Sequence, residues 1–297
     1  MNHTIKDTAE KMKGINGFSF NVLKKVALVF LGLVILVSIS LFLFLVRQKP
    51  SHNRDWELGQ EKLPQILLEG NEIVVKNLRD FHWTGPFEAE PNYIDAEYQL
   101  DQMQTVDVVI SHFDEFEGLA HIFLSFGFSD GRHISISLET RREVGEKFSP
   151  WLGILRQFEI IYVVGTDNDL LGVRTGPREE RVYIYPTLAS PQQVRDLFGK
   201  LAQDINAVYE EPIFYNTLTQ NCTNRLTRRV EEISDVRFPL TYKSILPGYF
   251  DEVLYDMRII QTRESFQKTK QGALVDNTKT DFTDPDYPTK VRSSLFE

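Results

Sequence analysis

A single cysteine, Cys222, stands in a chain of 297 residues, so an intramolecular disulfide framework is excluded. Also missing are a Gly-rich phosphate loop, any cofactor motif and any internal repeat. The six histidines are scattered without ligand spacing, so no metal or cofactor is expected. Positive charge is in short supply as well. Lys and Arg number 33 against 42 Asp and Glu, a net charge of −9 that argues against broad nucleic-acid binding. Apolar residues are plentiful enough for a sizeable core.

One long hydrophobic run is present. Residues 26–46 read VALVFLGLVILVSISLFLFLV without a charge, and about 20 such residues suffice to cross a bilayer as a helix. The run is long for a signal-peptide core and no small-x-small cleavage site follows it, which points to an uncleaved anchor. Lys24 and Lys25 precede it, with Lys6, Lys11 and Lys13 further upstream, while Arg47, Lys49 and Arg54 follow. This modest bias favours a cytoplasmic N-terminus, leaving the rest of the chain outside the cytoplasm. The expected organisation is a tail over 1–25, a transmembrane helix over 26–46, a polar tether with a short juxtamembrane helix over 47–70, and one α+β domain over 71–297. A free thiol outside the cytoplasm is exposed to oxidation, so its retention suggests a use.

Alternation is clearest in AHIFLSFGFSDGRHISISLETRRE. With period two, Ile122, Leu124, Phe126 and Phe128 share a face with Ile134, Ile136 and Leu138, while His121, Ser125, Ser135, Ser137 and Glu139 lie on the other. A three-residue loop with Gly131 in the left-handed region pairs even positions with even and odd with odd. That register sets Gly127 opposite His133 and His121 opposite Glu139. The apolar face is expected to pack on the core and the other to carry a histidine beside a carboxylate. TVDVVISHF, RQFEIIYVV and RVYIYP read as further strands. A helix is expected from Ser190, with Pro191 in its first turn and a capping box closed by Gln193. Val194, Leu197, Phe198, Leu201, Ile205 and Val208 form its apolar stripe.

A further helix is expected to begin at Cys222, capped by Asn221 or Thr219 and carrying Leu226, Val230 and Ile233 on one side. The helix dipole and Arg225 would favour a thiolate there. Free amides at that terminus could hold an oxyanion, and Asn216, Asn221, Thr223 and Arg225 are candidate oxyanion or substrate contacts. A thiol at a helix start, a histidine on a sheet and a carboxylate behind it are the parts of an acyl-transfer site. Cys222 would attack, His121 would move the proton and Glu139 would hold the tautomer. Other readings stand beside this one. A lone cysteine is often a small buried hydrophobe, Glu139 could pair with Arg141 or Arg142, His112 is a weaker alternative base, and His133 is too far along the hairpin to touch His121.

The segments AHIFLSFGFSDG, ISLETRREVGEKFS, RQFEIIYVVGTDNDLLGVRT, VYIYP, FYNTLTQNCTNRL and LPGYFDEVLYD together resemble the Lnb N-terminal periplasmic domain family. That family is similar to permuted papain-like and NlpC/P60 thiol enzymes, in which the histidine strand precedes the cysteine helix, as His121 precedes Cys222 here. The resemblance implies an antiparallel sheet with packed helices and a catalytic pair at Cys222 and His121. It also implies an acyl transferase or hydrolase at a bacterial inner membrane, drawing on membrane lipid or lipoprotein. A cell-wall peptide hydrolase and a non-catalytic anchored binding module are the alternatives. A polar groove at Cys222 would favour peptide, and an apolar channel would favour acyl chains.

Overall fold

The unbroken apolar run sits within a helix, α1 (Asn2–Arg47). Its Val22–Arg47 portion is the one helix, among the described residues, long and apolar enough to cross a membrane. The computed structural model describes residues 2–279, 281–293 and 295, and divides into two units, Met1–Lys49 and Pro50–Glu297.

Ten strands are described in the second unit: β1 (Gln65–Glu69), β2 (Glu72–Arg79), β3 (His82–Trp83), β4 (Ala89–Glu90), β5 (Tyr93–Gln99), β6 (Met103–His112), β7 (His121–Phe128), β8 (His133–Arg141), β9 (Glu159–Thr166) and β10 (Arg181–Pro186). Eight of them form one sheet, in the order β1-β2-β9-β8-β7-β6-β10 with β5 also on β2, while β3 and β4 make a separate ribbon. Every pairing is antiparallel except the single contact of Arg79 with Gly165, between β2 and β9. The helices of this unit are α2 (Pro150–Ile154), α3 (Asp167–Leu170), α4 (Gly172–Thr175), α5 (Pro191–Glu210), α6 (Cys222–Ile233), α7 (Tyr242–Ile245), α8 (Phe250–Asp256), α9 (Phe266–Ala273) and α10 (Tyr287–Ser293). The α+β expectation is met by a mostly antiparallel sheet with helices packed on it.

Local chemistry places these elements as expected. The β7–β8 hairpin has Gly127 opposite His133, and Gly131 supplies φ +85° in its loop. Ser190 caps α5 through a capping box with Gln193, and all six residues of the α5 stripe are buried. That stripe packs on Ile122, Leu124, Phe126, Ile134, Ile136 and Leu138, together with Leu226 of α6 and Val253 and Leu254 of α8. Each such side chain contributes about 1.5–3 kcal/mol when fully withdrawn from water.

One expectation needs correction. Residues 50–70 are not a tether with a helix. Trp56 is buried beneath the Arg141 guanidinium, 4.1 Å from its ring. In β1 the amide and carbonyl of Ile66 are both held by the Asn206 side chain of α5, at 2.9 and 2.7 Å. The five-residue strand behind Pro64 was too short to show an alternating pattern, and its long-range partner settles its conformation. The second face of the hairpin is also covered. Phe123, Ser125, Ser135 and Ser137 are all fully buried. The cover comes from α3, α4 and the C-terminal segment, with Leu170, Leu171, Tyr287 and Val291 packed on Phe123, Ile161 and Val163. The polar residues of that face are matched by a polar cover. Arg292 of α10 reaches Asp107 at 2.6 Å, Asp167 at 2.8 Å and Ser125 at 2.7 Å. Ser125 and Ser135 also donate to Asp167, at 2.9 and 2.6 Å.

Candidate active site

Cys222 is the first residue of α6 and is buried, 8% exposed. Asn221 caps the helix: its Oδ1 accepts from the Asn224 amide at 2.8 Å, while its Nδ2 donates to the Thr217 carbonyl at 2.7 Å. This fixes the first turn against β7 and β8. The ladder between those strands ends at Leu124 and Ile136, which leaves the Ile122 amide to the sulfur. The amides of Thr223 and of Cys222 itself also face the sulfur, and the Thr223 hydroxyl lies 4.0 Å away. Burial pushes the thiol up from its ordinary pKa, and these amides only partly offset it. The resting sulfur is therefore a protonated thiol. Tyr215 is buried close by, and its own pKa is raised by burial and by the proximity of Cys222.

His121 is the first residue of β7. Its Nε2 is 2.6 Å from the Ser137 hydroxyl, which in turn donates to Glu139 Oε1 at 2.9 Å, and Nε2 lies 3.8 Å from Glu139 directly. Arg174 of α4 donates to the same carboxylate oxygen at 3.3 Å and lies over the Phe123 ring at 4.9 Å. Burial and the Arg174 charge lower His121 to about 4, against the opposing pull of Glu139. Burial would raise Glu139, but the charges of His121, Arg174 and Arg79, with the Ser137 hydroxyl, hold it at about 2. At neutral pH the imidazole is uncharged, so Arg174 is the main partner of that carboxylate.

The two halves meet at one peptide. Ile122 shares the layer of Cys222, whereas the His121 ring stacks near Phe123, 6.0 Å between centroids, in the opposite layer. The nitrogen of the His121–Ile122 peptide faces the sulfur, while the ring beside it is bonded to Ser137. His121 and Glu139 are brought together, and Glu139 takes Arg174 rather than Arg141 or Arg142. The sulfur and the imidazole share no hydrogen bond among the described residues.

The remaining candidates separate by role. Asn216 forms a turn, its Oδ1 accepting from Leu218 and Thr219 at 3.0 Å each. Arg225 binds Gln220 at 3.0 Å and lies 3.8 Å from Asp204. His133 Nδ1 donates to the Gly131 carbonyl, 3.1 Å away, at the far end of the hairpin. His112 packs against Tyr183 at 5.6 Å, 4.0 Å from Glu117, and both its ring nitrogens are buried without a hydrogen bond among the described residues. Ser137 and Arg174 were not singled out from sequence. The i, i+2 spacing of Ser137 and Glu139 on one strand was a usable signal for the first. Arg174 sits on a four-residue helix with no periodicity to mark it.

An apolar cavity of about 270 Å³ opens between the sheet and α5, α6 and α8. Its lining includes Ile122, whose amide faces the sulfur, and Leu226, one turn along α6 from Cys222. Leu124, Val230 and Phe250 continue it.

No curated protein and no solved structure matches the chain. The model of the Lnb N-terminal periplasmic domain matches residues 89–248, a span that takes in His121, Ser137, Glu139, Arg174 and Cys222. That domain and the single apolar N-terminal helix fit a single-pass membrane protein with a periplasmic domain. With more than half of its length matched, the chain belongs to the Lnb N-terminal periplasmic domain family.

Proposed function

We propose that this is a membrane-anchored thiol enzyme in which Cys222 accepts an acyl group from a lipid or lipoprotein. The observation that carries this reading is the apolar cavity lined by Ile122, whose amide faces the sulfur, and by Leu226, one turn along α6 from Cys222. Such a cavity suits an alkyl chain and offers little to a cell-wall peptide, which needs convergent polar groups. Residues 26–46 would hold the protein in a bacterial inner membrane, with the N-terminus in the cytoplasm and the domain from residue 50 onward in the periplasm. The order of histidine strand and cysteine helix is the one a permuted papain-like enzyme would have.

In the proposed step His121 leaves Ser137 and takes the thiol proton as sulfur bonds to the ester carbonyl carbon. The amides of Cys222, Thr223 and Ile122 surround the sulfur and are the donors nearest the developing oxyanion. The ester C–O bond then breaks, and the departing alkoxide takes the proton from the imidazolium. A second nucleophile, an amine or water, then gives a proton to the imidazole as it bonds to the thioester carbonyl carbon, and the S–C bond breaks as the departing sulfur takes that proton back. In the resting state Glu139 sets the orientation of the imidazole, with Ser137 as the bridge between them.

The test is intact-mass measurement of the full chain after incubation with phospholipid vesicles. An acyl-sized increment on Cys222 is expected, and His121→Ala should abolish it while leaving the melting temperature within a few degrees. Equal acylation in His121→Ala would remove the histidine from the mechanism. Burial of the thiol favours a second reading, an anchored module with an inert cysteine. Resistance of Cys222 to alkylation in the presence of lipid, with no acyl adduct, would decide for that reading.

A further inference from the structure

The second unit leaves a group of large apolar side chains in solvent. Trp151 is 76% exposed, Val144 63%, Leu152 40% and Leu218 61%. They belong to one edge. The Thr217 hydroxyl, beside Leu218, donates to the Pro150 carbonyl, beside Trp151, at 2.7 Å. The same edge receives the chain that follows the apolar helix. The Ser51 amide donates to Glu159 at 3.0 Å, Arg54 pairs with Glu143 and Glu159 at 2.8 Å each, and the Val144 amide donates to the Asp55 carbonyl at 2.8 Å.

Chain length then sets a limit. Three residues separate Arg47 from Ser51, four Cα–Cα steps that span at most about 14 Å of extended backbone. A bilayer holding residues 26–46 therefore lies within short reach of the residues that pin this edge. We propose that the edge formed by Val144, Trp151, Leu152 and Leu218 is a membrane-contact surface that rests in the lipid interface. Water is a poor environment for these side chains, and the acyl boundary a better one. Tryptophan suits the headgroup level, with an apolar ring and a polar N–H. Exposed Lys147 and Arg156 flank the edge and would favour anionic headgroups. If the acyl-transfer reading holds, the contact also brings lipid to the turn that leads into Cys222, since Leu218 lies on that turn.

The three tryptophans allow a direct test, because Trp56 and Trp83 are buried at 7% and 8% exposure while Trp151 is not, and none lies within residues 26–46. The full chain is reconstituted in phosphatidylglycerol-containing vesicles with lipids brominated near the headgroup. The expected result is quenched emission relative to unbrominated vesicles, with loss of the quenched component in Trp151→Phe. Emission indifferent to bromine, or quenching unchanged in Trp151→Phe, would overturn the proposal. The readout needs no turnover, so it stands or fails apart from acyl transfer at Cys222.

Discussion

An imidazole bonded to a hydroxyl and shadowed by a guanidinium is held neutral, and His121 is in that position. Folding lowers it to about 4 from 6.5. Between those two values the unfolded chain binds a proton that the folded chain does not, so stability falls as pH falls through that window. The full effect is of order 3 kcal/mol. Glu139 adds a loss of the same sign at lower pH, because its carboxyl is held at about 2 in the fold against 4.5 outside it. Replacing the imidazole by His121→Gln should flatten the dependence of the unfolding midpoint between pH 6.5 and 4. His52, His112 and His133 are also lowered, first by burial, so some slope will remain. Melting curves in detergent across that range check this, and a slope unchanged in the variant would contradict it. At this scale the sequence was readable by residue type. A lone thiol, a strand histidine and a carboxylate on the neighbouring strand could be picked out. Ser137 was marked only by its i, i+2 spacing from Glu139, and Arg174 not at all, because it sits on a short helix whose location only the fold supplies.

Helix α6 has two tasks. Its first turn presents the sulfur to the Ile122 amide, and its apolar stripe from Leu226 onward walls the cavity. A bulkier side chain at the first cavity position should therefore separate recognition of chain length from chemistry. Leu226→Trp is expected to reduce acylation of Cys222 by long-chain donors at least tenfold while leaving a short-chain activated ester nearly as reactive; overpacking should cost about 1–3 kcal/mol of stability. Equal loss for both donors would show that the substitution disturbed the sulfur instead of the cavity. The stripe of α6 and that of α5 were both legible, because 3.6-residue periodicity survives wherever one face is buried. The cover over the other face of the β7–β8 hairpin was not legible, for the complementary reason. Alternating serine and apolar residues normally mark a solvated face, but here Asp167 and Arg292 satisfy the hydroxyls from the opposite layer.

The whole unit depends on that second layer. Arg292 comes from the last helix and reaches carboxylates on β6 and at the start of α3, so one side chain ties the end of the chain to the middle of the sheet. Burial raises Asp167, and the Arg292 charge together with His133 and the Ser135 and Ser125 hydroxyls more than reverses it. Arg292→Met should leave two buried carboxylates without their cation and destabilise the whole unit by about 3–5 kcal/mol. Pairing it with Asp107→Asn and Asp167→Asn should recover part of the loss. Global unfolding in urea measures both, and a change under 1 kcal/mol in the single variant would show the network to be dispensable. The polar composition of residues 276–295 gave no hint of this task, since a charged segment that completes a buried network reads like a solvated tail until its distant partners are known.

The enclosure of Cys222 has a further consequence for a protein working where oxidants are common. A sulfur walled by Ile122, Tyr215 and the first turn of α6, and kept in its hydrogen-bearing form, reacts slowly with peroxide and cannot reach a second chain to cross-link. Under the proposed acyl transfer, the same walls that delay attack preserve the nucleophile, so a molecule carrying one thiol and no spare would still be competent after waiting in an oxidising space.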